Sequence, residues 1–143
     1  MAGVYQPDKF EVFLGTNKID FGEILPYEKT QFYPKIYVNK DLHKIYCIIM
    51  IDADAPYPEN PLYKYRLHYL VANNEEILSY EKPKPPIDSD YHRYYFYLLE
   101  QKDYIQIDAN DIPRSKFDFI AFVKKYNLEI KNATFFKTKR SVH

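Results

Sequence analysis

The chain has 143 residues, and its 20 Lys and Arg balance its 20 Asp and Glu. That length predicts one domain, 1–143, with a core that needs no staples, and the balanced charge argues against nucleic acid as a partner. The single cysteine, Cys47, excludes an intrachain disulfide and points to a reducing compartment such as the cytoplasm.

Residues 1–9 read as a flexible arm without the apolar stretch of a signal peptide. No run of the chain approaches the roughly 20 apolar residues that cross a bilayer as a helix. Residues 10–14 alternate loosely, Gly15-Thr16-Asn17 turns, and residues 18–21 return, which predicts a hairpin. Residues 22–34 mix charge, Pro and Thr and read as a crossing loop. Residues 35–38 are a strand, closed by a turn at 39–41. His43 belongs to a solvated approach and is assigned nothing.

Tyr46 to Ile51 is an unbroken apolar run rich in Ile, which predicts a strand buried on both faces. Cys47 inside it reads as an inert core residue. The run stops at Asp52 and Asp54, and Pro56, Pro58 and Pro61 then impose an ordered, non-repetitive loop. Residues 67–72 are a strand carrying His68, 73–76 a turn, and 77–80 a short edge strand. Pro83, Pro85 and Pro86 mark a loop over 81–90. Residues 91–100 form a long aromatic strand carrying His92. Residues 101–113 read as a surface excursion.

Ser115 is the predicted N-cap of a helix over 116–126, with Asp118 completing a capping-box-like start. Phe119, Phe122, Val123 and Tyr126 fall on one stripe of it and face the core. Residues 133–138 are the last strand, and 139–143 a frayed basic tail. The sum is a mainly β protein, an antiparallel sandwich with one helix packed on it.

Carboxylates at the end of a buried strand are costly unless paired, hydrated or used. Strand alternation puts His92, Tyr94, Phe96 and Leu98 on one face, and His68 with Leu70 and Ala72. If both faces line one cavity, His68, His92 and Tyr94 stand at its mouth beside Asp52 and Asp54. Two imidazoles and a phenol donate to an anion, and a carboxylate accepts from an ammonium group. That set suits a small zwitterion such as a phosphorylated amine. Each residue taken singly also fits a structural role. Zinc on His68, His92 and Asp52, serving a hydrolase, is an alternative, though no H-x-x-x-H pair supports it. Ser79, Ser89 and Ser115 show no nucleophile elbow, and no cofactor is expected.

Asp52-Ala53-Asp54-Ala55-Pro56 resembles the D-P-D-A-P signature of the phosphatidylethanolamine-binding protein family, which includes the Raf kinase inhibitor proteins and plant flowering-time regulators. Asn60-Pro61-Leu62-Tyr63, Leu67-His68-Tyr69-Leu70-Val71, and Pro85-Pro86 followed by His92-Arg93-Tyr94 resemble further family blocks in the right order. The resemblance covers residues 10–138. It implies a large antiparallel sheet packed on a smaller one, no enzymatic activity, and a pocket for phosphate or phosphorylated head groups. Lipid head groups are included, and a protein partner such as a kinase is implied. Asp52, His68, His92 and Tyr94 match pocket positions, with Pro56, Pro85 and Pro86 shaping the walls. The chain departs from the family pattern at Ala53 (usually Pro), Asp90 (usually Gly), Arg66 (commonly aromatic) and Lys84 (usually small). Asp54, Arg66, Lys84 and Asp90 are thus candidate rim residues. The C-terminal helix that covers the pocket in some animal members is not expected. Lys, Ile, Tyr and Asn in excess of Gly and Ala fit AT-rich coding DNA, as in a large DNA virus or AT-rich microbe. The host cytoplasm would then be the location.

Overall fold

The computed structural model describes residues 8–39, 43–62 and 64–140. The flexible arm and frayed tail expected from the sequence fall largely on residues 1–7 and 141–143, outside the described residues. Phe10–Leu14 (β1) turns at Gly15 into Asn17–Lys18 (β2). Gly15 sits at φ 61°, a backbone conformation that costs any other residue more. Glu23–Ile24 (β3) and Pro34–Val38 (β4) follow, then the central Ile45–Asp52 (β5). Arg66–Ala72 (β6) and Glu75–Leu78 (β7) are joined at Asn73 and Asn74, whose φ values of 56° and 60° suit a tight hairpin. His92–Gln101 (β8), Phe119–Lys125 (α1) and Glu129–Thr138 (β9) complete the order.

Among the described residues, β2-β1-β4 form a small sheet and β3-β9-β8-β5-β6-β7 a large one. Pairing is antiparallel except between β3 and β9. The large sheet carries a hydrophobic layer on each face. Val12, Leu14, Ile48, Met50, Tyr94, Phe96, Leu98 and Phe136 fill the layer between the two sheets. Cys47, Ile49, Ile51, Leu67, Leu70, Leu99, Phe117, Phe119 and Phe122 fill the other, under α1. β5 is therefore buried on both faces, as its unbroken apolar run requires. Burial pushes the Cys47 thiol far up, which keeps it protonated and inert. No helix among the described residues is long and apolar enough to cross a membrane.

Several expectations need correction. The helix begins at Phe119, and its N-cap is Asp118, which accepts from the Ala121 amide at 3.0 Å. Ser115 does not cap it. Lys116 adopts φ 55°, and Phe117 pairs its backbone with Tyr65 instead (N–H to carbonyl, 2.8 Å), so tertiary pairing delays the helix. β3 was hidden in the crossing loop, because two residues carry no periodic signal. β9 starts at Glu129, before the predicted 133. The excursion after β8 is not wholly on the surface, since Ile105 is buried in the layer under α1.

The most consequential correction concerns His68. Met50 pairs with Tyr69 and Ile51 with Leu67, so His68 is the extra residue of a β-bulge. The bulge breaks alternation. Leu70 and Ala72 face the helix layer, while His68 turns toward Tyr94. Arg114 fixes the bulge by donating to the carbonyls of Leu67 (3.2 Å) and His68 (3.1 Å).

Candidate functional site

The site forms where β5 runs out. Asp52, its last residue, lies opposite Arg66 of β6 and Tyr94 of β8, so the three share one face. His92 is two residues from Tyr94 on that face. His68 joins them through the bulge, its ring edge-on to Tyr94 at 5.3 Å. Together with Ala55, Pro56, Glu81, Lys84, Pro85 and Ser115 they line a cavity of about 360 Å³. Of the residues expected from the sequence, Asp52, Pro56, Arg66, His68, Lys84, Pro85, His92 and Tyr94 are brought together there. Pro86, Asp54 and Asp90 are not among its lining.

For the two carboxylates the cause is local. Asp54 is buried but turns toward Arg93, accepting from its Nε, its Nη2 and its backbone amide at 2.7–3.0 Å. Burial alone would raise the Asp54 carboxyl, but Arg93 outweighs it and holds the group below the usual range. Asp90 is exposed and its carboxylate accepts from the Tyr91 amide, so it is not aimed at the cavity. Ala53 stands where the family-like pattern carries proline. Its amide donates to the Arg93 carbonyl at 3.1 Å, a bond proline cannot make, and the β5–β8 ladder runs one residue further.

Inside the cavity, Asp52 is almost fully buried and well partnered. His92 Nδ1 lies 2.8 Å from its Oδ2, and the Asp54 amide donates to Oδ1 at 2.8 Å. Burial, then the Asp52 charge, push the Tyr94 phenol far up, so it stays a donor. Tyr94 stacks on His92 (6.2 Å, 23°) and on Phe136 behind it (5.2 Å, 15°). Tyr94→Phe should keep those stacks and change stability by less than about 1 kcal/mol, read as a nearly unmoved urea midpoint at unchanged slope.

Sequence reasoning missed Glu81 and weighed Ser89 only as a nucleophile. Glu81 grips Arg66 with both oxygens (2.6 and 2.9 Å), and its carbonyl accepts from His68 Nδ1 at 2.6 Å. It reaches the site from a loop, where no periodicity announces it. Ser89 Oγ lies 2.8 Å from His92 Nε2. The order Ser89–His92–Asp52 has the connectivity of a hydrolytic triad. Ser89 is buried, however, and does not line the cavity, so no substrate atom can reach its hydroxyl from there. The relay orients the imidazole. It also engages both His92 nitrogens, leaving no lone pair for a metal.

His68 behaves differently. A carbonyl can only accept, so Nδ1 carries the proton and Nε2 is unprotonated in the neutral ring. Burial lowers its pKa below 6.5, outweighing the Glu81 carbonyl and the nearby carboxylates. The cavity thus offers cations at Arg66 and Lys84, carboxylates at Asp52 and Glu81, and an imidazole that can take up one more proton.

No family model matches the chain. Among curated proteins, it is 42% identical over 139 residues to a phosphatidylethanolamine-binding protein homolog of Acanthamoeba polyphaga mimivirus, covering 92% of this chain and 97% of that one. The chain belongs to the phosphatidylethanolamine-binding protein family. A plant member of the comparison, Protein TERMINAL FLOWER 1 of Arabidopsis thaliana, is 30% identical over 143 residues, with 92% of this chain and 80% of the other covered. Two solved structures share the fold. The phosphatidylethanolamine-binding protein from Plasmodium vivax aligns with a TM-score of 0.79 at 17% identity, covering 94% of this chain and 86% of that one. A carboxypeptidase Y inhibitor, solved in complex with its cognate proteinase, aligns at 0.77 and 20% identity, covering 96% and 86%. The family's two-sheet sandwich is thus the architecture of this chain.

Proposed function

We propose that this member of the family is a non-enzymatic binding protein that takes a phosphate-bearing head group in the cavity at Asp52, His68, His92 and Tyr94. Through it the protein modulates signalling or assembly in a reducing cytoplasm, the host's if the gene is viral. The observation that carries this reading is the distribution of charge in the cavity. Lys84, which has no ion-pair partner among the described residues, supplies a cation for a phosphate beside the Arg66–Glu81 pair, while Asp52 supplies a carboxylate for an amine, so a phosphorylated amine meets opposite charge at both ends. Pro56 and Pro85 give the walls a rigid backbone.

Calorimetric titration with phosphoethanolamine tests it. Lys84→Gln, an exposed change, should weaken binding about tenfold through one lost charged contact. Absence of heat from the wild type at millimolar ligand would remove the reading, and an interaction module with a vestigial pocket would take its place.

The His68 tautomer adds a pH dependence. To donate from Nε2 to an anion, His68 must gain a proton, so binding is coupled to proton uptake. Sulfate is the suitable probe because its own charge is constant across this range. Its affinity should rise about tenfold per unit as pH falls toward the imidazole's pKa, then level off below it. In the free protein the sign is opposite. A buried His with a lowered pKa contributes stability that is present above 6.5 and is lost as pH falls, since the unfolded chain binds the proton first.

A further inference from the structure

The strand ends that carry the cavity have a second face. Alternation sends Ile51, Ala53, Arg93, Tyr95 and Tyr97 to the opposite side of the large sheet from Asp52, His92 and Tyr94. With Lys64 and Tyr65 these residues line a separate cleft of about 310 Å³. Its polar side chains are an ammonium, a guanidinium and three phenols. All are donors, and no carboxylate lines it.

The donors are grouped and largely unspent. Lys64 Nζ lies 5.2 Å from the centre of the Tyr65 ring. Tyr95 and Tyr97 are stacked at 5.9 Å and 17° beside the Arg93 side chain, which lines the same cleft. Among the described residues, the Tyr65 and Tyr97 hydroxyls and the Lys64 ammonium have no hydrogen-bond partner. Burial raises the Tyr97 phenol, which keeps its proton in place. Asp54 is buried, does not line the cleft, and has both oxygens on Arg93. Ile51 and Ala53 form an apolar floor, and the tyrosine rings form walls on which a flat group can stack.

A cleft of donors with net positive charge and aromatic walls selects an acceptor-rich ligand with an apolar part. The first cavity differs, because two carboxylates, Asp52 and Glu81, line it, whereas none lines the cleft. We propose that the Lys64–Tyr65–Arg93–Tyr95–Tyr97 cleft is a second binding site, for a small oxyanion carried on an aromatic or apolar body. It works independently of the first cavity, from which the sheet separates it.

The test is amide NMR of the whole chain titrated with phenyl phosphate, benzoate and benzyl alcohol. Phenyl phosphate or benzoate should shift the signals of Tyr65, Tyr95 and Tyr97, and benzyl alcohol should leave them in place. Lys64→Gln should weaken that response about tenfold, and Tyr65→Phe should weaken it less, since a charged contact outweighs a neutral one. Lys84→Gln, at the first cavity, should leave it unchanged. Both lysines are exposed, so these variants fold. The proposal is overturned if neither anion shifts the three tyrosines, if benzyl alcohol shifts them equally, or if Lys64→Gln binds as the wild type does.

Discussion

His92→Ala is expected to lower stability by about 3 kcal/mol, because it takes a hydrogen-bond partner from a buried carboxylate. His92 is 1% exposed and Asp52 4%, so the imidazole is the main partner of that carboxylate's Oδ2. Ser89 keeps its bond to the Asp90 carbonyl but loses the imidazole in the same change, and Tyr94 loses the ring stacked on it. A domain of this size is stable by about 5–15 kcal/mol, so the loss is a large share of the total. Urea unfolding measures it. The contrast with His68→Ala is diagnostic. That ring is tied to a backbone carbonyl, so its removal leaves no buried charge unpaired, and stability should fall less. The pH dependence of sulfate binding should vanish with it.

Phe136→Ala should cost a similar amount, about 3–5 kcal/mol, for a different reason. Phe136 is fully buried between the sheets, packed on Tyr94 and Phe96. Truncation leaves a void in a core that closes poorly, and the void lies directly behind the pocket phenol. Tyr94 would then lose the surface that holds its ring flat, so anion affinity should fall even in molecules that remain folded. Denaturant unfolding and a phosphoethanolamine titration of the same variant check both halves. A loss below about 1 kcal/mol would mean the layer relaxes into the gap, and the pocket would then be less dependent on its backing than argued.

The parts of this account that were legible in the sequence share a property. They rest on runs long enough to have a period. The unbroken apolar run of β5 announced a strand buried on both faces, and the alternation of His92, Tyr94, Phe96 and Leu98 announced the inner face of β8. The stripe of Phe119, Phe122, Val123 and Tyr126 announced the packed face of α1. What escaped depends on single residues meeting across the fold. The bulge at His68 arises from pairing with β5 and from Arg114, neither visible in the local pattern. Glu81 and Ser89 are loop residues whose partners lie on strands. Asp54 looked like a rim carboxylate because the sequence does not say which way the chain turns after β5. Arg93, one residue from His92 and facing the other way, decides that turn.

The most direct test of the account is a histidine NMR titration with phosphoethanolamine, comparing the wild type with Lys84→Gln. Ring signals of both His68 and His92 should move together along one saturation curve, His68 toward its protonated shift, and the curve should weaken about tenfold in the variant. Histidine signals that stay fixed while the protein remains folded would contradict the claim that these strand ends form an anion site.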